Sequence, residues 1–112
     1  MMSDERLVMA LKRLGVPFER GVFSGRADTY ITFFLLDGNE RFHADDSVRN
    51  EEDTYRIDVF SRTDYTQLIR ELKREIRNAG FYGVNTGPEM YEDDTKLFHM
   101  PVEASCVRED DV

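Results

Sequence analysis

The chain has 112 residues, 40% of them hydrophobic and 34% charged, with 23 acidic against 15 basic side chains and a net charge of −8. That length suits one domain around one core, the apolar fraction excludes a disordered chain, and the negative balance opposes long-range approach to nucleic-acid phosphate. Cys106 is the single cysteine, which excludes an internal disulfide, a redox pair and a cysteine-ligated zinc site; it reads as a small buried hydrophobe.

The first fifteen residues, MMSDERLVMALKRLG, are charged and amphipathic rather than signal-like, and no apolar run approaches the roughly 20 residues needed to span a bilayer. A cytosolic protein without a membrane segment is expected. Ser3 and Asp4 can cap a first helix whose stripe is Leu7, Val8, Leu11 and Leu14, stopped by Gly15 and Pro17. Residues 16–28 carry glycine, proline and scattered aromatics, and read as a packed connection or a short irregular strand.

TYITFFLLD at 29–37 is apolar almost throughout and predicts a central strand covered on both faces. Asp37-Gly38-Asn39 signals a turn, with a more exposed strand returning antiparallel over 40–44. DDSVRNEED at 45–53 holds five carboxylates and almost nothing to bury, so a solvated acidic loop is expected; its spacing does not fit a calcium loop.

The stretch 53–80 is the organising unit. Tyr55, Ile57 and Val59 alternate with Arg56 and Asp58 as a half-buried strand does, with Phe60 the one exception. Ser61 followed by Asp64 resembles a capping pair. Tyr65, Leu68, Ile69, Leu72, Ile76 and Ala79 then recur on one arc of a helix that Gly80 terminates. Arg70, Lys73, Arg74 and Arg77 project from the opposite arc. With Glu71 and Glu75 they give 65–79 a net +2, which leaves −10 for the rest of the chain. The subunit is electrically lopsided.

Beyond Gly80, 81–85 predicts a strand, 86–88 interrupts it before Met90 and Tyr91, and Glu92-Asp93-Asp94 reads as a loop. Leu97 to Val102 predicts a last strand, demoted to a sheet edge by Pro101. About 104–112, ending in REDDV, is expected to be an acidic disordered tail. The whole, 1–112, is then a single two-layer α+β domain, a mostly antiparallel sheet of about four strands covered by two helices.

No Gly-rich phosphate loop, HExxH, GxSxG or paired-Cys motif occurs, so no catalysis, metal or cofactor is expected, and His43 and His99 are given no chemical role. A basic stripe on an acidic chain matches an acidic surface on another protein, including another copy, better than sequence-specific nucleic acid. The candidate subunit interface is therefore Arg70, Lys73, Arg74 and Arg77 against Asp45, Asp46, Glu51 and Glu52.

Three phrases in order carry a resemblance: TYITF at 29–33 with His43-Ala44-Asp45-Asp46; YRIDVFS at 55–61 leading into the helix; and Ala79-Gly80-Phe81 followed by YEDDTKLFH at 91–99. Together they resemble the tail-terminator, or tail-to-head joining, proteins of siphophages and prophages. The departure is Met100-Pro101-Val102-Glu103, where such proteins continue as a basic, apolar strand. The resemblance implies a structural virion protein made in the bacterial host cytoplasm. It implies a ring, commonly hexameric, at the head-proximal end of the tail tube, contacting the tube protein and a head-completion protein, with DNA passing through its channel. An acidic regulatory or inhibitory adaptor without catalysis is the alternative that composition alone permits.

Overall fold

The computed structural model of the chain describes residues 3–42 and 49–108, and the side chains of 3–36 and 51–108. In chain order the elements are α1 (Ser3–Lys12), β1 (Phe18–Arg20), β2 (Thr29–Phe42), β3 (Arg49–Ser61), α2 (Thr66–Asn78), β4 (Tyr82–Thr86), β5 (Met90–Glu92) and β6 (Leu97–Val107). They form one α+β unit with a six-stranded sheet rather than about four strands. The order is β1-β2-β3-β6-β4, with β5 also on β6, and every pairing is antiparallel except β1 with β2. The two extra strands are three-residue pieces, β1 and β5, too short for a periodic signal.

Both helices lie on one sheet face. Because side chains alternate along a strand, Tyr55, Ile57 and Val59 point the same way, and they join Ile31, Phe33, Val102, Ala104 and Cys106 beneath Leu7, Ala10 and Leu11 of α1 and Ile69, Leu72 and Ile76 of α2. Helix α2 has the expected apolar arc. Its end is a Schellman turn: Phe81 N–H donates to the Ile76 carbonyl and Gly80 N–H to that of Arg77, both at 3.0 Å, with Gly80 at φ +97°. Its start departs from expectation. Ser61 ends β3 and its Oγ accepts from Thr63 N–H, while Asp64 Oδ1 separately accepts from the N–H and hydroxyl of Thr66, so the two do not act as one cap.

Three corrections concern β2 and β3. The turn expected at Asp37-Gly38-Asn39 and the separate strand over 40–44 do not form; β2 runs on to Phe42. Its residues from Asp37 pair with β3 back to Arg49, past an irregularity between Leu35 and Asp37. Long-range pairing overrides the local turn signal, and the bulge absorbs the misfit. From residue 49 onward the acidic loop expected over 45–53 does not form, because Arg49 already opens β3. Residues 43–48, which include His43, Asp45 and Asp46, lie outside the described residues. At roughly 3.3 Å per residue, the 14 residues of β2 span about 46 Å, which accounts for the 51 Å long axis. Finally, β2 is not covered on both faces along its length: Ile31, Thr32 and Phe33 are buried, whereas Phe34, Leu35 and Leu36 are exposed.

Strand β6 is central rather than an edge, lying between β3 and the β4–β5 pair. Pro101 is tolerated because its missing N–H faces the one place where the second partner is interrupted. β4 pairs with β6 as far as Val102 and β5 resumes at His99, while Gly87 alone bridges the gap by donating to the Pro101 carbonyl. The chain is also ordered further than expected over 104–108. β6 continues to Val107, with Ala104 and Cys106 in the core, and Arg108 is held by Glu51 and Asp53.

Candidate functional site

Helix α2 presents Arg70, Arg74 and Arg77 to solvent and half-buries Lys73. Its apolar arc binds the opposite side, so the stripe faces outward as a consequence of packing. Arg74 approaches Glu75 at 3.7 Å, and Glu75 also meets Arg13, just past the end of α1, at 3.8 Å, which ties α2 to the end of α1 along their outer seam.

The acidic partners are placed differently from expectation. Glu51 and Glu52 stand on β3 rather than in a loop. Glu51 accepts from Arg108, and Glu52 is buried and accepts from the Tyr82 hydroxyl. Asp53 is buried against Arg108, whose Nη2 donates at 2.6 Å. The Arg108 hydrogen bonds hold its carboxyl below the usual carboxylate value, against the opposing effect of burial. Next along the strand, the Tyr55 hydroxyl donates to Asp4, and Asp4 accepts from Arg20 at 2.6 Å. Burial first, and the Asp4 carboxylate second, raise the Tyr55 pKa. This network fastens the root of the hairpin to α1, β1 and the end of β6. Sequence reasoning did not find it, because its members are scattered from Asp4 to Arg108 and meet only through the sheet register.

The face away from the helices carries an aromatic row. Phe23 stacks on Tyr30, Tyr30 on Phe60, and Phe60 on the His99 ring, with centroids 4.2–4.8 Å apart. Phe60, the exception to alternation, is the middle of this row. Asp58 is buried there and accepts from His99 Nε2 at 2.7 Å and from Arg56 Nε at 2.9 Å. His99 is thus fixed by stacking and a carboxylate. Among the described residues no group of three His, Cys, Asp or Glu side chains is arranged to hold a metal, and no helix is long and apolar enough to cross a membrane.

Two further surface features complete the geometry. A groove of about 400 Å³ between α1 and α2 is lined by Met9, Ala10 and Ala79 with Arg6, Arg13 and Asn78. At the root of the hairpin, Phe34, Leu35 and Leu36 are 37%, 41% and 46% exposed. The signal for this patch was present as an unbroken apolar run, but a run of that kind reads equally as a strand buried on both faces.

The chain matches a solved chain from the virion of a native gene transfer agent (GTA) particle. The TM-score is 0.58 at 12% sequence identity, and the match covers 97% of this chain and 96% of that one. What the two share is the fold. No protein-family model matches the sequence, and no curated protein does. The α+β architecture is therefore one that a phage-like particle uses, over essentially the full length of both chains.

Proposed function

We propose that this chain is a structural component of a phage-like virion, and that within it the chain acts as a tail terminator: a ring, hexameric by resemblance, at the head-proximal end of the tail tube. The observation that carries the virion role is the match of fold with a chain of a gene transfer agent virion. The tail-terminator role within it is supported by the motif order from Thr29 to His99 alone.

A ring of identical subunits needs two different, complementary patches on each one. The outward basic stripe of α2 supplies one, and the acidic residues of the candidate interface the other. Since Glu51 and Glu52 already serve Arg108 and Tyr82 within the chain, the acidic share falls to Asp45 and Asp46. The ring contacts the tail tube protein below and a head-completion protein above. It is made in the host cytoplasm and ends in the virion, and it performs no catalysis and takes no cofactor.

The test is deletion of the gene in a particle-producing strain, followed by electron microscopy of the lysate. Filled heads and separate, unjoined tails are expected. Intact particles would remove the joining role and leave the acidic adaptor reading.

A further inference from the structure

We infer that the apolar run Phe34-Leu35-Leu36 of one copy seats in the α1–α2 groove of a second copy, as the apolar part of the head-to-tail contact of the ring, beside the charged part that the α2 stripe supplies. The inference rests on the proposed ring and names the surfaces that close it.

Three consecutive exposed apolar side chains are not ordinary surface scatter. They surround an open strand edge. β1 pairs with β2 only from Ile31 to Phe33, and Gly21, at φ +83°, gives its N–H to the Phe33 carbonyl and turns the chain off the edge. Past that point no strand among the described residues pairs with the outer side of β2. Phe34 points to the face away from the helices, Leu35 pairs with Tyr55 toward the helix face, and Leu36 occupies the bulge, so the patch wraps around the edge. One layer of this chain cannot cover all three.

The groove is the complementary shape. Its floor of Met9, Ala10 and Ala79 is apolar, Met9 is 49% exposed, and its volume accommodates a large aliphatic or aromatic side chain. Charge chooses between the two ways of pairing. Leu35 shares its concavity with Asp4, Glu5 and Asp53 against the single cation Arg108, whereas around the groove Arg6 and Arg13 outnumber the single carboxylate Glu75, so the first is net acidic and the second net basic. Patch on patch sets carboxylates against carboxylates, while patch on groove sets them against guanidinium groups. A patch and a pocket at different places on one molecule give a heterologous contact, which closes into a ring or runs on as a filament.

Leu36→Cys and Met9→Cys, treated with a short bismaleimide alone and as a mixture of the two, test this directly; both positions are exposed, and the natural Cys106 is buried. The mixture is expected to give a dimer containing one of each variant. The doubly substituted chain should give a ladder, and each single variant none. Phe34→Cys with Met9→Cys is a second reporter with the same expectation. Self-linking of Leu36→Cys alone overturns the contact in favour of patch on patch. A mixture that oligomerises in sedimentation velocity yet does not cross-link overturns the contact and leaves the ring standing. A chain that neither oligomerises nor cross-links overturns both.

Discussion

Gly87 donates its N–H to the carbonyl of Pro101 at 2.9 Å, and the proline ring occupies the space that a Gly87 side chain would need, with Cγ 2.8 Å from an ideal Cβ. The two residues solve one problem together. A proline in a central strand leaves a gap in the ladder, and only a residue without a side chain can approach closely enough to bridge it. Gly87→Ala should therefore cost about 1–3 kcal/mol through overpacking against the ring. Pro101→Ala should relieve part of that cost in the double variant. Chemical denaturation of the four proteins measures the coupling, and strict additivity would mean that the ring is not the obstacle.

The hairpin root depends on ionised Asp53. Its carboxyl is held below the usual value by Arg108, so the folded state binds its proton less readily than the unfolded one, for which the pKa is about 4. The stabilisation is complete above that value and is lost as pH falls below it toward the depressed folded value. Denaturant midpoints between pH 6 and pH 3 should fall more steeply for the natural chain than for Asp53→Asn. Parallel slopes would show that the Arg108 pairing contributes nothing to stability.

Leu72 is fully buried at the centre of the α2 arc. Leu72→Ala should cost about 2–5 kcal/mol, the usual range when a buried leucine leaves a cavity. A loss below about 0.5 kcal/mol, typical of surface changes, would contradict the packing of α2 against Ile57 and its neighbours.

Much of this fold was legible because its largest elements carry their own periodicity. The α2 arc, the Gly80 stop and the alternation through Tyr55, Ile57 and Val59 are local facts of spacing. What was not legible depends on partners far away in the chain. Asp37-Gly38-Asn39 reads as a turn until β3 pairs across it, Pro101 reads as an edge until Gly87 and the β4–β5 interruption are in place, and Glu52 and Asp53 read as solvated until Tyr82 and Arg108 arrive. The basic stripe was visible as an outward arc, whereas the exposure of Phe34, Leu35 and Leu36 required knowing where β1 ends.

The basic stripe gives a prediction about assembly. If Arg70, Lys73, Arg74 and Arg77 meet carboxylates of a neighbouring copy, self-association should weaken as salt rises, since exposed charges are screened over roughly 8–10 Å at physiological ionic strength. Arg74→Glu with Arg77→Glu should abolish it, and Asp45→Lys with Asp46→Lys added to the same chain should partly restore it. Sedimentation velocity across a salt series follows all three. An unchanged oligomer in the folded Arg74→Glu, Arg77→Glu protein would leave the stripe as a solvated helix face.

The proposed ring caps a tail tube, and electron microscopy of the purified protein mixed with tail tubes from the same particle looks for that cap itself. Ring-shaped density is expected at one end of each tube, with bare ends when the protein is omitted. Tubes whose ends stay bare in excess protein, with the protein remaining monomeric beside them, would contradict it.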